Sequence, residues 1–223
     1  DDYLALADLQ VINDANLSGA QVSSILDDAP VLQRIAAVVA SQGDRHKYLD
    51  YTGMPVVGFR ALNDGRDHDS SIDTAVTIDL KIMDASFTVD VAAAQTWPEG
   101  EEALLRREAV RHLRAAMFKV EQQLLQGTIA GATGFAGLYD KHSALETTLG
   151  TCIGAGGSSA LTSVYIIRSS PEEIAVITGM GGQISMGEAS IIRATGGTTG
   201  WFPAYHVPVT AWYGLQKGGT YSS

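Results

Sequence analysis

The chain has 223 residues, a formal net charge of −10 and one cysteine. A deficit of cations with no basic tract argues against a nucleic-acid binder, because affinity for phosphate needs clustered Lys and Arg. A lone Cys152 excludes an intramolecular disulfide framework and makes a reducing compartment the default. Only 18% of residues are charged against about 25% in an average soluble protein, so much of the surface is Ser, Thr, Gly and Ala, which suits a protein that hides surface in protein–protein contacts.

Residues 1–44 read as an arm with short helices. Val22, Ile25, Leu26 and Ala29 share a face at helical spacing, Ser18 or Asp14 could cap it, and Pro30 interrupts it. No basic n-region opens the chain, so no signal peptide is expected. Residues 54–60 predict an extended or edge strand, since Pro55 and Gly58 exclude a central one. Asn63-Asp64-Gly65 is a strong turn signal, and residues 66–71 form a polar tip.

The return strand is marked by alternation. Val76, Ile78, Leu80 and Ile82 are apolar, and the pattern resumes one residue out of phase at Phe87, Val89 and Val91. A one-residue slip flips the faces, so a bulge is expected near residues 83–86. The two segments predict a long two-stranded hairpin, which needs another surface to lie on.

Residues 98–127 predict an amphipathic helix of roughly 45 Å. A compact globule of this length has a radius of gyration of about 17 Å, so the helix would run along the whole body as a spine. Pro98 suits its first position, Glu99, Glu101 and Glu102 its positive end, and Gly127 its C-cap. Leu105, Ala109, Leu113, Ala116, Met117, Val120 and Leu124 form its apolar stripe. Arg106, Arg107, Arg111, Arg114 and Lys119 make its middle basic, with Glu108/Arg111 and Glu102/Arg106 able to pair across a turn.

Beyond Thr128 the chain is Gly-rich and mixed. Strands are expected at residues 164–167, 191–192 and 207–212, a short helix at residues 171–173, and the start of a return strand at residues 221–223. Residues 147–167 carry no charge but are too polar to span a bilayer.

Chemistry finds little support. Residues 154–159 lack the Lys of a Walker A loop, no histidine pair has metal-ligand spacing, and no G-x-S-x-G occurs. Asp64, Asp67, Asp69 and Asp73 do not match a calcium loop. Cys152 reads as a small buried hydrophobe and Glu101-Glu102 as helix-dipole charge. No catalytic residue, cofactor or metal is expected. A soluble α+β enzyme would need a site assembled from scattered residues such as His112, Asp90 and Glu121.

The order of elements, together with Met54-Pro55-Val56-Val57-Gly58-Phe59-Arg60, Asn63-Asp64-Gly65, Gln126-Gly127-Thr128, Gly134-Phe135-Ala136-Gly137-Leu138, residues 162–168 and Trp212-Tyr213-Gly214-Leu215, resembles the major capsid proteins of tailed bacteriophages, the Hong Kong 97 fold family. The resemblance implies an α+β fold. Residues 1–44 would be an N-terminal arm, 45–92 an extended β-hairpin loop reaching over a neighbour, 93–131 a peripheral domain with the spine helix, and 132–223 a Gly-rich axial domain. The return to the peripheral domain that is usual near the C-terminus would be missing. It implies a homo-oligomer of pentamers and hexamers that closes an icosahedral shell around double-stranded DNA without sequence-specific binding or a membrane. The protein would be assembled in the host bacterial cytoplasm and located in the virion, with scaffold, portal and decoration proteins as further partners. An encapsulin-like nanocompartment shares the fold and is the alternative. Some relatives cross-link a loop Lys to a neighbour's Asn. Only Lys47 and Lys81 lie in the loop here and no catalytic Glu with a matching Asn can be located, so no cross-link is expected. The residues assigned to the subunit interface are Arg60, Asp64, Asp67 and Asp69 of the loop and Arg107 and Arg111 of the helix. The Arg106–Arg114 face would meet a neighbour's acidic tip.

Overall fold

A computed structural model describes residues 11–12, 15–16, 29–53, 55–66, 69–142, 164–196 and 200–218. The fold is mixed α+β. The element order is β1 (Val11–Ile12), β2 (Ala15–Asn16), β3 (Ala36–Val39), β4 (Arg45–Gly53), β5 (Ile72–Asp79), β6 (Lys81–Asp84), β7 (Phe87–Asp90), α1 (Val91–Gln95), α2 (Glu101–Gln126) and α3 (Leu138–His142). Then come β8 (Ile174–Thr178), β9 (Gln183–Met186), β10 (Ser190–Gly196), β11 (Gly200–Val207) and β12 (Val209–Lys217).

Strand β12 organises the largest sheet. Val209, Ala211, Tyr213 and Leu215 are buried, as alternation on a core-facing strand requires. Thr210 lies opposite both Asp84 of β6 and Ser185 of β9, and Tyr213 opposite both Lys81 of β6 and Thr178 of β8. Strand β6 therefore occupies one edge of β12, and β8 and β9 share the other. The register between them jumps by the four residues 179–182, a short 3-10 turn whose Gly179 N–H still donates to the Trp212 carbonyl at 3.0 Å. Strands β3 and β1 add in parallel outside β8 and β9.

A second sheet, in the order β10-β11-β7, rests beside the helices. Tyr205 of β11 donates from its hydroxyl to Glu101 Oε2 at 2.6 Å, and Phe87 of β7 stacks on His112 at 5.0 Å. Strands β4 and β5 form a separate antiparallel hairpin.

Helix α2 spans 26 residues, about 39 Å. It buries Leu104, Ala109, Leu113, Ala116, Met117, Val120 and Leu124 in the core, each large side chain contributing about 1.5–3 kcal/mol. Its C-terminal end is locked by the turn that follows. Gln123 is buried there and donates Nε2–H to the carbonyls of Phe135 (2.7 Å) and Gly131 (3.3 Å). The Asp140 carboxylate accepts from the Thr128 hydroxyl (2.5 Å), the Thr128 N–H (2.7 Å) and the Gly137 N–H (3.1 Å). These bonds, that of the Thr128 hydroxyl foremost, hold its carboxyl below the usual range. Phe135 and Leu138 drop into the core.

Several expectations change. The helix begins at Glu101, not Pro98, because Gly100 sits at φ +92°, outside the helical region. Residues 55–60 are extended without a ladder, and the strand lies upstream at β4, whose Arg45-His46-Lys47 start gave no apolar signal. The single return strand is three pieces in three sheets, broken at Leu80 and at residues 85–86. Asp84 Oδ1 accepts the Ser86 N–H at the second break, within the expected bulge region. Residues 36–39, read as arm, pair in the main sheet with β8. Residues 164–168 form no strand, with Val164 86% and Ile166 97% exposed. Residues 171–173 form a turn into β8, not a helix. β11 of the C-terminal third pairs antiparallel with β7, the strand that leads into α1. Strands at residues 191–192 and 207–212 are present, the latter split by Pro208 into β11 and β12. The expected helices of residues 17–28, Cys152, the 154–159 loop and residues 221–223 lie outside the described residues.

A Cβ on Gly137 would come within 2.4 Å of the Gln123 carbonyl oxygen and 2.5 Å of the Gly127 nitrogen, both backbone atoms. Gly137→Ala is expected to cost about 3 kcal/mol, lowering Tm by about 6–12 °C. Gly65→Ala, where a Cβ meets nothing within 4 Å, leaves Tm unchanged in the same thermal melt.

Candidate subunit interface

The hairpin β4–β5 carries the loop residues assigned to the interface. Its root is tied to the end of β12. Tyr48 donates its hydroxyl proton to the Lys217 carbonyl at 2.7 Å. His46 accepts the Ser41 N–H on Nδ1 at 3.2 Å and pairs through Nε2 with Gln216 Oε1 at 3.0 Å. An Nδ1 acceptor and an Nε2 donor require the neutral ring. Burial lowers the His46 pKa, partly offset by the Gln216 bond.

At the far end the connection folds on its own arginines. Arg66 donates to the carbonyls of Gly58 (3.2 Å) and Val56, and Arg60 to the Asp64 carbonyl at 3.2 Å. Asn63 takes φ +65° at the expected turn. Asp64 and Asp69 accept the N–H of Gly65 and Ser70, both at 2.9 Å. Asp67 lies outside the described residues. The two arginines thus brace the loop through its backbone carbonyls, and among its exposed polar groups it also presents apolar ones. Val57 is 83% exposed, Leu62 92%, and Phe59 is fully exposed. Sequence reasoning, drawn to the charges, missed this apolar tip, although Val56-Val57-Gly58-Phe59 beside a turn was its signal.

On α2, the Arg107 guanidinium lies over the Trp97 ring at 4.8 Å, and Arg111 pairs with Glu108 at 2.8 Å, as spacing suggested. The structure holds these helix residues on a separate element from Arg60, Asp64 and Asp69 and does not bring the two groups together within the chain. The same solvent side of α2 exposes Val110 and Phe118.

The residues named for an enzyme site are engaged elsewhere. Asp90 Oδ1 caps α1 through the Ala92 N–H at 2.8 Å. Glu121 Oε2 accepts the N–H groups of Val31 (2.7 Å) and Leu32 (3.1 Å), and His112 stacks on Phe87. Among the described residues no group of His, Cys, Asp and Glu could hold a metal, and no helix is long and apolar enough to cross a membrane.

A family model described as major capsid protein GP7 matches residues 14–210. The chain belongs to that capsid family. No curated protein matches it. Among solved structures, a chain of bacteriophage Epsilon15 is similar at 15% identity and TM-score 0.43 over 82% of this chain. This chain spans 57% of that one's length. A chain from Mycobacterium phage Adephagia is similar at 12% identity and TM-score 0.45, covering 87% of this chain and 83% of that one. A chain of the satellite phage P4 procapsid that includes the size determination protein is similar at 8% identity and TM-score 0.45, covering 92% and 96%. Membership of a structural capsid family is consistent with a non-enzyme and favours neither the nanocompartment nor the scattered-site enzyme.

His46 gives the hairpin root a pH dependence with a fixed sign. A histidine pKa lowered by folding means the unfolded chain binds the proton more readily, so stability rises with pH there. The His46 contribution is full above pH about 6.5, falls as pH drops through the folded pKa, and is flat below it. Melting of the wild type against His46→Gln across this window should show a steeper slope in the wild type, the difference being the His46 contribution.

Proposed function

We propose that this capsid-family chain is the repeating subunit of a phage head, a shell of Hong Kong 97 type whose pentamers and hexamers close around double-stranded DNA. The reading is carried by the family match over residues 14–210, which takes in the hairpin, α2 and the β10-β11-β7 sheet and ends at the start of β12. Low charge and a projecting apolar loop support it, since repeated weak contacts over a closed shell sum by avidity. The hairpin loop would lie over a neighbouring subunit, and the helix and sheets would form the body of the tile. Scaffold, portal and decoration proteins are the further partner classes, with assembly in the bacterial cytoplasm and the virion as destination. A net charge of −10 fits a wall that must not grip a packaged genome tightly.

In this reading, Arg107 and Arg111 face the acidic loop of a neighbour that carries Asp64, Asp67 and Asp69, and Arg60 holds that loop in shape. Arg107→Glu/Arg111→Glu is expected to abolish assembly of the full-length protein while costing the fold only about 0.5–1 kcal/mol for the lost stacking on Trp97. Intact particles from that variant would rule out the charge contact. Light scattering with electron microscopy of the wild type tests the function itself. Closed shells or ring-shaped capsomers are expected. A species that stays near 23.5 kDa even with co-expressed capsid partners would overturn it.

A further inference from the structure

The loop tip and one cleft of the same chain are built for each other but held apart. Beside the C-terminal half of α2 lies a cleft of about 190 Å³, floored by Met83, Val120, Phe135 and Tyr213 and rimmed by Lys81 and Lys119. A cavity of about 150 Å³ with apolar walls suffices to take up benzene. The cleft therefore has room for one aromatic ring. Its Ile82 side is open, because β6 pairs with β12 on one edge only among the described residues.

Phe59 is the matching group. It is fully exposed, on a loop already shaped by Arg60 and Arg66, so little ordering entropy remains to be lost on docking. Charge agrees on balance: the tip brings Asp64, Asp69 and Asp73 towards a rim on which Lys81 and Lys119 outnumber the single carboxylate, Asp84. Its own cleft is out of reach. The hairpin meets the body at Leu80, and the eight residues of β5 set the tip about 26 Å away along the strand.

We infer that Phe59 of one copy seats in the cleft between β6 and α2 of the next copy. This rests on the shell reading and deepens it by naming the partner surface of the loop. A knob at the hairpin tip and a socket beside its foot make a heterologous, head-to-tail contact, and such contacts close into rings when the rotation permits. Lys119 takes part as a rim charge while its ammonium also donates to the Ala130 carbonyl at 2.5 Å and Gln122 Oε1 at 3.1 Å.

The test is disulfide trapping in assembled full-length protein in a Cys152→Ser background. Phe59→Cys with Thr133→Cys, an exposed position on the cleft, is expected to give a ladder of covalent multimers on a non-reducing denaturing gel. Each single variant should give none. Particles without a ladder would overturn the socket and leave the shell reading standing. Covalent dimers from Phe59→Cys alone would put tip against tip and overturn it as well. A parent protein that forms no assembly would overturn both. In parallel, Phe59→Ala should raise the concentration needed for assembly by about tenfold, the loss typical of an aromatic anchor, with the melting temperature of the unassembled chain unchanged. An unchanged assembly threshold would overturn the anchor role.

Discussion

Burial of β12 is the constraint from which the rest of the body follows. A strand with Val209, Tyr213 and Leu215 closed off from solvent must have its backbone groups paired on both edges, since an unpaired buried N–H or C=O costs about as much as a lost hydrogen bond. The chain supplies those partners from three distant places: β6 on one side, β8 and β9 on the other. Two glycines let the layers close. A Cβ on Gly214 would come within 2.6 Å of the Leu80 side chain, and one on Gly179 would meet Trp212 and the Gly43 carbonyl. Leu80, pressed into that gap, is the residue at which the return strand leaves the hairpin and joins the sheet. The position of the hairpin is thus set by packing at its foot, reinforced by His46 and Tyr48 on the last residues of β12.

A hairpin anchored firmly at one end carries exposed hydrophobes at the other. Exposed single hydrophobes are ordinary. A group of Val57, Phe59 and Leu62 on a loop braced by arginine bonds to its own backbone carbonyls is a surface suited to contact. The body offers the complementary features on another element, and the rigid strand between them excludes self-satisfaction. In the proposed docking, geometry of this kind turns a folding problem into an assembly rule, because each subunit would be completed by the next.

How much of this was legible depended on where the signal was written. Helix α2 could be read because Ala109, Leu113, Ala116, Met117, Val120 and Leu124 repeat at helical spacing, and its C-cap because Gly127 must take φ +59°. The turn at Asn63 was equally plain. Strand β4 was not, since Arg45, His46, Lys47 and Asp50 carry no apolar alternation and its stability comes from β5 and from contacts to β12. The breaks at Leu80 and residues 85–86 looked like one bulge in one ribbon, because alternation reports which face is buried but not against which sheet. Gln123 was hidden for the same reason. A polar residue in an apolar stripe has meaning only once the Gly134–Leu138 turn has folded back over it. The charged interface residues were visible as charge, but Arg60 and Arg107 prove to be occupied within the chain.

That occupation bears on how such a subunit can associate at all. Copies carrying −10 each repel one another, and at physiological salt the field of exposed charges fades over about 8 Å. Repulsion therefore acts only at contact distance, where it weakens each interface without preventing encounter. Apolar docking has to supply the attraction, and charge then sets which faces tolerate one another. Arg107 stacked on Trp97, Arg111 shared with Glu108 and Arg60 bonded to a loop carbonyl keep their charge but are already engaged, which tempers any ion pair they form between copies. Contacts that are individually weak can break and re-form until the ring closes, and closure then makes the sum hard to undo. The scarcity of charge on this chain is thus itself part of how a correct shell can form.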